Sequence, residues 1–248
     1  MNELINFKRP RGQFKKLTAE EIKQKRYWII GGIVLLIISL VITFSGPIER
    51  HMINSYKPKV SATSIKNYDH KKGTYNYESI KELTLSNIAN ARARSKNLPV
   101  VGAIAIPKIG MSLPIAKGIT NQNLALSAAT FRDDMKMGKG NYALAGHNMA
   151  NDGPKLLFSP LYYKAKRGQK IYLTNLKRVY VYQITAKGFV DKHRVDLVAN
   201  TKKKQITLVT CDTTGNKRLI VRGKYLKSMK YKTAPRKIRK ALSQKFNN

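Results

Sequence analysis

The sequence predicts a mainly β domain, closed into a barrel and preceded by a single membrane-spanning helix. Three observations predict it. Trp28 to Phe44 is a run of seventeen residues without a charge, whose only polar side chains are Ser39 and Thr43. After Pro99 the texture changes to short apolar runs broken by Gly, Pro, Asn and Lys, the pattern of successive strands and turns. Helical spacing is confined to short stretches before and within that region.

The apolar run, extended by Tyr27, is long enough to cross a bilayer core. It shows no polar face, which argues against a buried core helix. It exceeds the apolar stretch of a signal peptide, and no small-x-small site precedes Pro47, so an uncleaved anchor over 27–45 is expected. Lys23, Lys25 and Arg26 stand before the run, Lys8, Arg9, Arg11, Lys15 and Lys16 lie further upstream, and Glu49 follows it. The positive-inside rule then places residues 1–26 in the cytoplasm and the rest outside the plasma membrane.

Residues 46–77 mix Lys, Ser, Asn and Tyr without apolar periodicity and read as an extracellular stalk. Ser79 with Glu82 forms a capping-box pattern, and Ile80, Leu83, Ile88 and Ala91 recur near helical spacing, so a helix over roughly 79–94 is expected to open a domain of 78–226. Expected strands are Val101 to Ile106, Ser112 to Ala116, Asn141 to Ala145, Lys170 to Asn175, Arg178 to Val190, Gln205 to Cys211 and Arg218 to Leu226, with a short helix at Asn121 to Ser127. Within the fifth, Val179 and Val181 alternate with Tyr180 and Tyr182, so one face can be core and the other partly wet. Closing seven or so strands into a barrel hides their edges. Residues 227–248 form a basic tail without an acid, either a binder of wall polymer or lipid headgroups or a solvated terminus.

The charge bounds the partners. Lys and Arg number 48 against 13 Asp and Glu, a formal charge of +35, so the surface must meet polyanions or anionic lipid. The bases are spread along the whole chain, and no zinc-finger spacing, RNA-binding strand motif or basic zipper is present. No nucleic-acid partner is expected; an envelope rich in phosphate polymers accounts for the charge.

Cys211 is the one cysteine, so the chain has no internal disulfide and the thiol itself needs a reason. It ends the strand Gln205-Ile-Thr-Leu-Val-Thr-Cys211 beside turn residues, where a substrate can reach it. Most lone cysteines are small buried hydrophobes, although an extracellular setting weakens that reading. Tyr142-Ala-Leu-Ala-Gly-His147 is a second strand that stops at glycine and presents an imidazole able to protonate a leaving amine. His51, His70 and His193 sit in polar segments and carry no such signal. A hairpin centred between Thr214 and Gly215 sets Cys211 opposite Arg218 and Thr207 opposite Arg222. A guanidinium beside the thiol favours the thiolate and can donate to an oxyanion.

With His147 after Ala-Gly, Leu208-Val-Thr-Cys211 some sixty residues later, Arg218 opening the next strand and an anchor at the start, the chain resembles a class A sortase over about residues 98–226. The resemblance implies an eight-stranded sortase barrel and a membrane-anchored cysteine transpeptidase. In it Cys211 attacks the Thr carbonyl of a Leu-Pro-x-Thr-Gly (LPXTG) sorting signal in exported proteins, His147 protonates the departing glycine amine, and Arg218 steadies the oxyanion. A peptidoglycan-precursor amine then resolves the thioacyl enzyme. Ala145, Thr210 and Val195 would contact the peptide, the last from the 190–204 segment that covers the groove in this family. The order His before Cys is opposite to that of papain-like proteases.

Pilus-assembling sortases resemble longer chains with a lid and a second membrane segment, of which this sequence shows neither. The loop after Phe131 offers only Asp133 and Asp134 before Lys136 and Lys139, and the 190–204 segment only Asp191 and Asp196 among five bases, so neither a calcium site nor any other metal or cofactor is expected. Two rivals remain: a non-enzymatic, membrane-anchored basic wall-binding protein, and a cysteine transpeptidase acting on peptidoglycan stems. The first leaves the coincidence of thiol, strand-end histidine and opposed arginine unexplained.

Overall fold

In the computed structural model, residues 18–56, 60–77, 80, 83–94, 98–149, 153–212, 214–243 and 246 are described. The chain divides into two compact units, Met1–Ser45 and Gly46–Asn248. In the first, α1 (Ala19–Thr43) is one continuous helix. Thr18 and Glu21 close a capping box at its start, and its apolar stretch is long enough to cross a membrane.

The second unit is built on eight strands: β1 (Val100–Ile106), β2 (Met111–Ala116), β3 (Ala128–Thr130), β4 (Asn141–Ala145), β5 (Lys170–Thr174), β6 (Arg178–Asp191), β7 (Gln205–Cys211) and β8 (Lys217–Lys230). They close in the order β1-β2-β3-β4-β7-β8-β6-β5, with β5 returning to β1. β4 and β7 run parallel and β7 and β8 antiparallel, so β7 sits between the two strands that carry the other candidate site residues. Alternation along each strand sends Leu113, Ile115, Leu144, Ile206, Leu208, Leu219 and Val221 into one interior cluster. β3 is absent from the sequence reading because three residues, Ala-Ala-Thr, carry no period.

The tyrosine-valine alternation of β6 separates an inner from an outer environment, with Tyr180 half-buried. Tyr182 is fully buried inside the barrel, whereas Val179 and Val181 pack on its outer wall. The valines share a cluster with the outward alanines Ala103 and Ala105 and with a helix, α7 (Arg236–Ser243), that packs on β1, β2 and β5. Its Ala241 and Leu242 are buried, and the Ser112 hydroxyl donates to the Ala241 carbonyl at 3.0 Å. The described part of the basic terminal stretch thus packs on the barrel wall, Phe246 included.

The segment expected to be a stalk is also structured. It holds α2 (Ser45–Asn54) and α3 (Ala62–Asp69), the latter capped by Ser61. Ile53 is 0 % exposed and joins the barrel interior, Ile65 and Tyr56 are buried, and the Ser64 hydroxyl donates to the Val100 carbonyl. Further on, the Gly73 amide and Tyr75 hydroxyl both donate to Asp133. One buried side chain per short helix is too sparse a signal for periodicity to detect. The next helix, α4 (Leu85–Ala93), is shorter than expected and is capped by Thr84; Ser79 and Glu82 lie outside the described residues. The remaining helices are α5 (Asn121–Leu126) and α6 (Ser159–Lys164).

Candidate active site

Period-two alternation fixes which side chains share a face. In β7, Ile206 and Leu208 point into the barrel, so Thr207, Val209 and Cys211 point outward. In β8, Leu219 and Val221 point in, so Arg218, Ile220 and Arg222 point outward. In β4, Tyr142 and Leu144 point in, leaving Ala143 and Ala145 outside. The outer face of β4, β7 and β8 therefore carries the thiol, two arginines and a floor of small or apolar side chains.

The hairpin register is the one obtained by counting: Cys211 pairs with Arg218 and Thr207 with Arg222. The turn is held by the Asp212 carboxylate, which accepts from the Thr214 amide and hydroxyl, and it passes through Gly215 at φ 76°, a left-handed conformation that glycine adopts without a Cβ penalty. Arg218 is half-buried. Its Nη1 donates to the Gly215 carbonyl at 2.8 Å and the Lys217 carbonyl at 3.2 Å, so in this state it steadies the turn beside the thiol.

The parallel partner delivers the histidine. β4 pairs with β7 through Ala145 and Val209, and the Gly146 amide donates to the Val209 carbonyl. Continued two residues, this ladder brings His147 level with Cys211. A Cβ on Gly146 would sit 2.5 Å from the Phe158 ring, so only glycine lets the chain turn here against that ring. The Phe158 amide donates to the His147 carbonyl, and the Asn148 amide nitrogen donates to the Cys211 carbonyl at 3.1 Å, tying the histidine loop to the cysteine strand. Half-buried Cys211 and His147 both remain reachable. Withdrawal of its ring from water pushes the His147 imidazole down to about 4, so it is neutral at pH 7.

Of the residues expected to contact peptide, Ala145 is half-buried on the outer face, and Val195 stands 73 % exposed in a 3₁₀ turn, Val195–Val198, between β6 and β7. Thr210 differs. It is buried with its side chain on the inner side of β7, so a peptide on the outer face meets its backbone only. The loop bearing Val195 is fastened to the barrel. Asn141 Nδ2 donates to the Leu197 and Ala199 carbonyls at 3.0 Å each, and Arg132 donates to the Val198 and Asn141 carbonyls. The loop thus forms a wall beside the outer face.

Asn148, Asn141 and Arg132 were missed by sequence reasoning. Only Asn148 carried a signal, its place directly after His147. The carboxylates weighed earlier for calcium have protein partners: Asp133 takes Lys117 at 3.5 Å as well as Gly73 and Tyr75, Asp134 takes Arg132, Asp191 takes His193, and Asp196 takes Arg194.

Residues 104–226 match the model of the sortase domain family. The chain is 38 % identical over 225 residues to sortase A of Streptococcus agalactiae, covering 87 % of this chain and 91 % of that protein. It is 37 % identical over 206 residues to sortase A of Listeria monocytogenes, covering 80 % of this chain and 91 % of that one. The crystal structure of Listeria monocytogenes sortase A superposes with a TM-score of 0.54 at 39 % identity, over 58 % of this chain and 98 % of that structure.

Proposed function

Because this chain belongs to the sortase family, as a sortase A-type transpeptidase, we propose that it cleaves an LPXTG-type sorting signal between Thr and Gly and joins the new carboxyl end to a peptidoglycan-precursor amine. The observation that carries this reading is the outward face on which Cys211 opposes Arg218, next to β4, which pairs with β7 through Ala145 and Val209 and leads into His147 two residues later.

In this reading the Cys211 Sγ attacks the Thr carbonyl carbon, forming the S–C bond. A histidine that is neutral at rest must first acquire the proton it gives to the leaving group, and the attacking thiol is its source. His147 passes that proton to the glycine nitrogen as the C–N bond breaks. The acceptor amine then attacks the thioester, loses a proton to His147, and breaks the S–C bond as the thiol is restored. Arg218 contributes by leaving the turn carbonyls it now caps and donating to the tetrahedral oxyanion. Ala145 and Val195 line the peptide, with Thr210 contributing through its backbone.

The apolar helix α1 fits a membrane-anchored enzyme. The proposed topology has residues 1–26 cytoplasmic, 27–45 spanning, and the catalytic unit outside, where exported proteins and wall precursor are met. Anionic wall polymers are proposed as further partners of the basic surface.

The test is incubation of the full chain with a Leu-Pro-x-Thr-Gly peptide and a small amine. Formation of the Thr-amine cross-product is expected. Turnover of a peptidoglycan stem peptide with no reaction on the sorting peptide would transfer the enzyme to the rival class.

A further inference from the structure

The concave feature of about 680 Å³ on the second unit lies away from Cys211, among α2, the turn after β1, the 153–156 turn and α6. Its rim carries Arg50, Lys155 and Lys164, and its floor is formed by Ile109, Leu156 and Phe246, all three buried. Among the described residues that line it, none carries a carboxylate. Cations arrayed over an apolar floor match an anionic head joined to a hydrocarbon body, whereas a free inorganic anion would gain nothing from the floor.

A second observation narrows the source of such a ligand. Only six residues of chain, 44–49, separate Thr43, the end of the apolar helix, from Arg50, seven residue steps in all. Extended chain spans at most about 3.6 Å per residue, so Arg50 stays within about 25 Å of the end of that helix wherever it is embedded. A soluble anion would face no such restriction. The cleft also shares an end of the barrel with the site. β1 is antiparallel to β2, β2 parallel to β3, and β3 antiparallel to β4, so β1 and β4 run the same way, and the turn holding Ile109 opens at the end where His147 stands.

We propose that this cleft binds the anionic phosphate headgroup of a membrane lipid, with Arg50, Lys155 and Lys164 on the phosphate and Ile109, Leu156 and Phe246 against the first carbons of the acyl region. Lipid bound there holds the catalytic end of the barrel at the bilayer surface. The proposal depends on α1 lying in a bilayer and is independent of the chemistry at Cys211; retention of the full chain by neutral phosphatidylcholine vesicles reports the anchoring by itself.

The decisive experiment titrates the full chain, in neutral maltoside micelles, with dioctanoyl phosphatidic acid and follows heat by calorimetry. Dioctanoyl phosphatidylcholine and inorganic phosphate serve as comparison arms. Saturable binding of phosphatidic acid is expected, tighter than either comparison. Two charge-assisted contacts are lost in Lys155→Gln/Lys164→Gln, which should weaken binding by about tenfold or more. Removing the same charge at the opposite end of the barrel, in Lys177→Gln/Lys230→Gln just before β6 and at the end of β8, should change it by less than about twofold, since distant exposed charges are screened. Equal weakening by both pairs would overturn the site in favour of diffuse attraction to a chain of +35. Inorganic phosphate binding as tightly as the lipid, or an absence of saturation, would overturn it as well.

Discussion

The β7–β8 hairpin and the segments that flank the barrel are both rich in polar residues, yet one was legible in the sequence and the other was not. In the hairpin, two strands of strict period and one turn centre determine every opposed pair, and Cys211 opposite Arg218 followed from counting. In α2 and α3 the contribution to the core rests on single residues, Ile53 and Ile65. In α7, Ile238, Ala241 and Leu242 do form an i, i+3, i+4 stripe, but the surrounding bases drew attention to charge instead. Information about strands is redundant, whereas that of a short covering helix lies in one or two side chains.

The comparison breaks if the flanks are dispensable. Replacing Ile53 by Ala should cost about 2 to 5 kcal/mol, and the same change at Ile65 a similar amount. Together these approach the whole stability of an ordinary domain, about 5 to 15 kcal/mol. Denaturant unfolding of the two single variants and the double variant reads this directly. A double variant unfolding with the parent would restore the stalk reading.

Within the hairpin, Arg218→Ala should lower turnover on a sorting peptide by about 10²- to 10³-fold, the usual consequence of losing one oxyanion donor. Steady-state kinetics at a fixed amine concentration provides the check. A loss confined to thermal stability, with turnover intact, would leave Arg218 as a turn brace through its contacts with Gly215 and Lys217.

A smaller, pH-dependent effect belongs to His147. In the unfolded chain its imidazole takes a proton near 6.5, while in the fold it does so only near 4. The unfolded state therefore binds more protons between those values, and stability falls as pH drops from 6.5 to 4, then levels off. Thermal midpoints of the parent and His147→Gln across that window should converge toward low pH, because the variant lacks this decline. Parallel curves would contradict the depressed imidazole.

The smallest effect expected is at Arg222, four residues beyond Arg218 on the same face and about 13 Å away along the strand. It pairs with Thr207, so Arg222→Ala should remain within a few-fold of the parent in turnover. If that variant is the crippled one, the assignment of the working arginine is reversed.

The proposed site divides in the same way as the fold. Cys211, His147 and Arg218 could be proposed from the sequence because each lies at or within two residues of a strand end. The braces Asn141 and Arg132 were invisible because they hold backbone carbonyls of a loop distant in sequence. Thr210 was assigned to the peptide through the resemblance, although alternation from Cys211 already sends its side chain to the other side of the sheet.

The central claim is that the Cys211 sulfur carries the acyl group between two amines, and mass spectrometry during turnover tests it most directly. The full chain mixed with a Leu-Pro-x-Thr-Gly peptide, without added amine, should accumulate the acyl fragment on the tryptic peptide containing Cys211, and addition of a small amine should discharge it as cross-product. Cross-product formed with no adduct at Cys211, and formed equally by Cys211→Ala, would contradict the account.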